Sequence, residues 1–275
     1  MEKIINNRRL EFQEYCLKNE KWLDNIELPI IKHSCKKETV IVELRELDHL
    51  YFIIRNTIRV LGIEWSHTIV CGENNYNFIL NIVKRINRNI KIIKLVKYNL
   101  TRLEYSIMLL NSSFYQRFYG EYLLIYQEDT IIFRNIPDVF FKYDFIGAPI
   151  PKNDNLFNGG FSLRNKKKMI DICIYNYDYF QDRFSVSCRY LDKTIKLLKK
   201  HNLDYKKNKD LYFLYLIEKT LIEDILLCDK CLNIPTFKEA NEFSVEKYYF
   251  QNPIGGHQFW YCVKKIDIWL NINLK

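Results

Sequence analysis

The sequence predicts an α/β fold: a mainly parallel central sheet flanked by helices, followed by a mixed α+β C-terminal half. Three observations predict it. Short β-branched or aliphatic runs alternate four times with segments of helical period up to residue 126. After residue 150 that alternation stops. Hydrophobic residues make up 48% of the 275 and charged residues 27%, which supplies a core and excludes a disordered chain.

The first 25 residues or so have the pattern of a charged amphipathic helix. Thr39–Val42 is a β-branched apolar run and reads as a buried strand. Residues 49–61 have helical period, and Thr68–Cys71 is a second strand stopped by Gly72. A helix over 76–87 and a strand from Ile90 to Val96 follow. The helix expected over 101–118 opens on Thr101 with Glu104 three places on, a capping-box spacing. Tyr122 to Tyr126 is the fourth strand. Beyond it come the loop Asn158-Gly159-Gly160, a short strand Phe161–Leu163, and helices over 165–180, 189–219 and 222–232.

Lys and Arg total 42 against 33 Asp and Glu, a net charge of +9. The excess of Ile, Asn, Lys and Tyr has the look of AT-rich coding, which raises Lys without functional meaning. The lysine-rich stretches read as solvated faces, and nucleic acid is not an expected partner. Eight scattered cysteines, Cys228-x-x-Cys231 among them, suit reduced thiols. No run reaches the ~20 apolar residues of a membrane span, and the first 25 residues contain no apolar leader core. A soluble, cytoplasmic protein is expected.

In parallel sheets ligands bind outside the carboxyl ends of the strands. Glu43 and Arg45 after the first strand, and Gln127-Glu128-Asp129 after the fourth, are therefore candidate site residues. A carboxylate at such a position can hold Mg²⁺ or Mn²⁺ on a diphosphate, the plain alternative being a polar turn. No Gly-rich loop follows the first strand, which disfavours a Rossmann or P-loop site. Asn158-Gly159-Gly160, followed by Arg164, offers close backbone approach and a bidentate phosphate contact, or else an ordinary hairpin. Glu223-Asp224 opens a helix as a cap or as a general base. His257, after two glycines, reads as a metal ligand or a structural imidazole.

The series Tyr122–Thr130, Tyr143–Pro149, Asn158–Arg164, Glu223-Asp224, Phe243–Glu246 and Gly256-His257 resembles an uncharacterised glycosyltransferase-like domain family. Its members read Q-x-D-T, Y-D-Y-I-G-A-P-W, N-G-G-x-S-L-R, E-D, F-S-V-E and a late H. That family is in turn similar to GT-A nucleotide-sugar glycosyltransferases. The resemblance implies a GT-A-like domain over 37–275 behind an N-terminal helical extension at 1–36. Within the domain, about 37–150 would bind the nucleotide and about 151–275 the acceptor. It implies Asp129 and His257 as metal ligands, with Gln127 standing where an Asp is usual. Asp224 matches the base and Glu223 its neighbour. Glu43, Arg45, Gln127, Glu128, Asn158, Gly159, Gly160 and Arg164 fall to the nucleotide sugar. Ile150 stands where the family has Trp.

The expected activity is transfer of a hexosyl or N-acetylhexosaminyl group from a nucleoside-diphosphate sugar, UDP-linked in the favoured case, to a hydroxyl of a glycan, protein or small molecule. Mn²⁺ or Mg²⁺ assists, and the Glu-Asp pair implies inversion. Two rivals stand: a non-catalytic basic binder of RNA or glycan on the same fold, and a sugar nucleotidyltransferase. The latter usually has a Gly-rich loop and a basic residue after its first strand.

Overall fold

The computed structural model describes residues 2–109, 111–150, 157–173 and 232–274. The expected helix at 189–219, that at 222–232 up to residue 231, with Glu223, Asp224 and the Cys228-x-x-Cys231 pair, and the part of the expected 165–180 helix beyond 173 lie outside the described residues.

Two short helices, α1 (Glu2–Lys18) and α2 (Glu20–Asp24), lead into the sheet. Then β1 (Lys37–Val42), α3 (Leu50–Leu61), β2 (Trp65–Cys71), α4 (Tyr76–Ile86) and β3 (Lys91–Lys94) alternate. The helical stretch after β3 divides into α5 (Arg102–Leu109) and α6 (Ser112–Tyr115). Asn111 marks the division: its side chain accepts the Ser113 N–H at 2.9 Å and starts a new helix. The Thr101–Glu104 box forms as expected, with Thr101 N–H donating to Glu104 at 2.9 Å and Glu104 N–H to Thr101 at 3.2 Å. Next come β4 (Tyr122–Tyr126), β5 (Thr130–Ile132), β6 (Phe145–Pro149) and β7 (Phe157–Asn165), then a helix α7 over 166–173. The C-terminal part holds α8 (Phe237–Phe243), β8 (Ser244–Val245), β9 (Gly255–His257) and α9 (Ile266–Leu274).

The main sheet has the order β3-β2-β1-β4-β7-β6. Its first four strands are parallel, and β7 runs antiparallel to both neighbours. This is the mainly parallel α/β sheet, flanked by helices, that the sequence predicts. A three-stranded sheet, β5-β9-β8, sits beyond the carboxyl end of β4. Strand alternation divides β1 between two apolar layers. Ile41 packs with α1, α3, α4 and α9, while Val40 and Val42 pack with Phe114, Tyr115 and Phe118 on the opposite face.

The N-terminal helix is part of this core rather than an appendage. Phe12 and Cys16 are fully buried, and the Phe12 ring meets Phe259 edge-on at 5.4 Å. Arg8 donates to the Trp260 carbonyl at 2.8 Å, so the two ends of the described chain are bound together. Among the described residues no helix is long and apolar enough to cross a membrane.

One buried carboxylate ties the sheet to the loop before β4. Glu38 accepts from Thr68 Oγ1 at 2.5 Å and from the N–H groups of Tyr119 and Gly120 at 2.6 and 2.7 Å. Glu38→Ala is expected to lower unfolding stability by about 2–4 kcal/mol, because it leaves two peptide donors and a hydroxyl buried without acceptors. Urea denaturation measures it, and a loss below about 0.5 kcal/mol, the usual scatter of surface substitutions, would mean the loop is held by something else.

Candidate active site

The carboxyl ends of β1 and β4 lie side by side, and their following residues form one wall of a cleft of about 280 Å³. After β1, Glu43 is buried and accepts three bonds from Arg45: from its N–H at 2.9 Å, Nε at 2.8 Å and Nη2 at 2.7 Å. Asn75, also wholly buried, donates to the carbonyls of Glu43 and Arg45 at 2.9 and 3.1 Å and accepts from Gly72 N–H at 2.8 Å. The loops after β1 and β2 are thereby fixed to each other.

After β4 the chain turns through Gln127–Thr130, closed by Thr130 N–H donating to the Gln127 carbonyl at 3.1 Å. Neighbouring side chains leave such a turn in different directions. Glu128 goes toward the N-terminal elements, meeting Arg9, His49 Nε2 at 2.9 Å and Arg45 at 3.4 Å. Asp129 goes toward β9. Its Oδ2 accepts from Gln258 Nε2 at 2.9 Å, and its Oδ1 lies 3.4 Å from His257 Nε2, buried and without a hydrogen bond. Gln258 also donates its N–H to the Asp129 carbonyl at 3.1 Å. These bonds hold Gln258 at φ 46°, the one positive φ at a non-glycine position among the described residues.

His257 reaches the site because β9 pairs with β5 in the register Thr130↔His257. Its imidazole is enclosed by Asp129, by Gln127 Oε1 at 3.2 Å from Nε2, and by Glu246 Oε2 at 3.3 Å from Nδ1. Burial opposes charge on this ring, but Asp129 and then Glu246 outweigh it and push its pKa up to about 10. Burial likewise would raise the Asp129 carboxyl, and the charge of His257 beside it, with the amide of Gln258, instead holds it low.

The Asn-Gly-Gly loop serves this ring. Asn158 Oδ1 accepts Gly160 N–H at 2.7 Å, and a Cβ at Gly160 would lie 2.3 Å from His257 Nε2. Gly160 is small because the imidazole occupies that space. Gly159 gives its carbonyl to Ser162 Oγ at 3.0 Å. Arg164, expected to bind phosphate, is fully buried instead. It donates to Ser162 Oγ and Tyr115 OH, each at 2.9 Å, and to the Gly159 carbonyl at 3.4 Å. Its place on β7, beside Leu123 of β4, sets it in the sheet core, away from the cleft.

The structure thus brings together Glu43, Arg45, Gln127, Glu128, Asp129 and His257, with Asn158, Gly159 and Gly160 behind the histidine. Gln127 Oε1 and Asp129 Oδ1 both face His257 Nε2, and Gln127 and Asp129 also line the cleft. No group of three or more His, Cys, Asp or Glu that could hold a metal occurs among the described residues, so the amide of Gln127 is needed to complete this trio.

Residues 89–257 match the family described as "Protein of unknown function (DUF5672)". The chain belongs to this family. The matched region takes in Gln127–Asp129, the Asn-Gly-Gly loop and His257, and begins after Glu43, Arg45 and His49. No curated protein is significantly similar to the chain. Among solved structures, a mannosyltransferase, PcManGT from Pyrobaculum calidifontis in complex with GDP-Man and Mn²⁺, is similar at 7% identity and TM-score 0.37, covering 61% of this chain and 56% of that one. The glycosyltransferase GlyE of Streptococcus pneumoniae, in its apo form, is similar at 11% identity and TM-score 0.46, over 87% of this chain and 60% of that one. A 4-diphosphocytidyl-2C-methyl-D-erythritol synthase from Anaerococcus prevotii has 13% identity and TM-score 0.35, over 62% and 84%. The chain spans less than two thirds of the length of the first and second of these.

Five residues of the DUF5672 protein's site escape sequence reasoning: Arg9, His49, Asn75, Glu246 and Gln258. Glu246 stands in the Phe-Ser-Val-Glu block, yet nothing in that block shows that it orients His257. His49 has a usable signal, since it begins the helix that follows β1 at the ligand-binding end of the sheet. Its Nε2 faces only acceptors, the Glu128 carboxylate and carbonyl, so Nε2 carries the proton.

Burial, and after it the charge of Arg9, pull the pKa of His49 down to about 4. An unfolded His49 binds a proton near pH 6.5 and the folded one does not, so folding loses stability as pH falls from about 6.5 toward 4. The stability gap between wild type and His49→Asn, followed by urea unfolding, should narrow between pH 7 and pH 4.5. A gap constant over that range would place the titration elsewhere.

Proposed function

We propose that the chain is a GT-A-like glycosyltransferase that moves a sugar from a nucleoside-diphosphate donor, UDP-linked in the favoured case, to a hydroxyl acceptor with inversion at the anomeric carbon. The observation that carries this reading is the convergence of Gln127, Asp129 and His257 at the carboxyl end of β4, on the edge of a cleft that also presents Arg45.

The donor set fits Mn²⁺ or Mg²⁺. Ligands about 2.1 Å from one ion at right angles stand about 3.0 Å apart, close to the 3.2 and 3.4 Å found here. Asp129 Oδ1 is a buried acceptor without a hydrogen bond, which an ion would satisfy. Glu246, on Nδ1, orients the ring so that Nε2 faces Gln127 and Asp129, as carboxylates do behind ligating histidines. Gln127, Asp129 and His257 would hold the ion, which when bound neutralises charge on the departing diphosphate.

The residues themselves do the rest. Arg45, held in place by the buried Glu43, meets the nucleotide at the end of β1. Asp224, which the family resemblance matches to the base, takes the acceptor hydroxyl proton, with Glu223 its neighbour in sequence. An activated hydroxyl attacking opposite the diphosphate gives a single displacement, hence inversion.

Calorimetry with UDP, GDP and CDP, with and without Mn²⁺, tests the reading. One nucleotide should bind in a metal-dependent way, and Asp129→Ala should weaken it by about tenfold to a hundredfold. Asp224→Asn should lower turnover by about 10²–10⁴ and leave donor affinity close to normal. Absence of binding to all three nucleotides, or an Asp129→Ala variant that binds as wild type does, overturns the assignment.

A further inference from the structure

We propose that Arg9, carried on the N-terminal helix, belongs to the donor site and binds the diphosphate of the nucleotide sugar. This rests on the reading just given and extends it to a residue 119 positions from the β4 turn in sequence. Arg9 lines the same cleft as Arg45, Gln127 and Asp129. The carboxylates there lie underneath: the Glu43 and Glu128 side chains are 6% and 4% exposed. The guanidinium groups lie on top, with Arg9 and Arg45 side chains 38% and 47% exposed. What a ligand meets is therefore cationic, although the layer beneath is acidic. Glu128 holds both cations at once, which sets two forked donors side by side over the cleft floor. Guanidinium pairs of this kind suit phosphate oxygens.

Arg9 is not there by loose chance. Phe12 shares its helix face three residues on, and it is fully buried against His49 and Phe259. Arg8 is bound to the Trp260 carbonyl. The helix is anchored on both sides of Arg9, so the cation is presented from a rigid element, and its neighbour Glu128 is itself fixed by His49.

The test compares full-length wild type, Arg9→Ala and the double variant Arg9→Ala with Glu128→Gln. Each is titrated with UDP, GDP and CDP and with the matching nucleosides, Mn²⁺ present. Arg9→Ala should weaken the bound diphosphate by about tenfold to a hundredfold while the nucleoside is unaffected. The double variant restores the charge balance around Glu128 and should remain as weak. If the double variant recovers wild-type affinity, Arg9 only neutralises Glu128 and the proposal is overturned. The same follows if Arg9→Ala changes diphosphate and nucleoside alike or neither, while wild type binds. Should Arg9→Ala fail to fold, the double variant alone decides. A wild type that binds no nucleotide overturns the donor reading itself, and this inference with it.

Discussion

Two adjacent carboxylates, Glu128 and Asp129, are buried at the end of the central strand, and most of the site follows from having to neutralise both. An unpaired carboxylate in an apolar interior is untenable, and two in sequence repel each other as well. The turn after β4 separates them. Glu128 takes its partners from the chain's beginning: Arg9 of α1, the loop after β1 and the first residue before α3. Asp129 takes its partners from near the end, His257 and Gln258. One dipeptide therefore fixes where both terminal regions must lie, and Arg8 bound to the Trp260 carbonyl closes the circuit.

The small sheet exists in support of this arrangement. A strand of three residues has little stability by itself. β9 is held by antiparallel pairing to β5 and parallel pairing to β8, and by apolar packing of Ile131, Val245 and Ile254 into the main core. Phe161 of β7 stacks on Phe243 at 4.8 Å just before β8. That packing offsets the cost of the left-handed backbone at Gln258 and of enclosing an imidazole among polar groups. The residue with least freedom is Gly160: any side chain there would occupy the place of the histidine ring.

The fold was legible where one apolar period dominates. Thr39–Val42 and Thr68–Cys71 are β-branched runs buried on both faces, and α3 and α4 carry continuous helical period. β5, β8 and β9 were not legible, because strands of two or three residues such as Gly255-Gly256-His257 carry no alternation to read and exist only through pairing. The cleft was legible by position: strand ends in a parallel sheet singled out Glu43, Arg45 and Gln127–Asp129, all of which line it. Arg164 misled for a physical reason. An Arg after paired glycines looks available to phosphate, but its place on β7 turns it toward Tyr115, and alternation along one strand cannot say which face is wet. Arg9 and Gln258 depend on contacts across 119 and 129 residues, which no local pattern encodes.

The charge count around His257 bears on the metal site proposed above. Glu246 and Asp129 are both acids with side chains 7% and 6% exposed, and one imidazolium lies between them. With a proton on the ring, the three groups sum to one negative charge in a buried place. Arg9 and Arg45, the cations that line the cleft, are paired with Glu128 and Glu43. A dication with a neutral imidazole brings the same three groups to zero. The ring would not need to move to hold such an ion, since its Nδ1 faces Glu246 and leaves Nε2 toward Gln127 and Asp129. The high proton affinity of His257 follows from the two carboxylates, Asp129 and Glu246, on either side of it. On the proposed metal reading, that surplus negative charge would let an amide at position 127 stand in place of a carboxylate, the charge being supplied from behind the histidine.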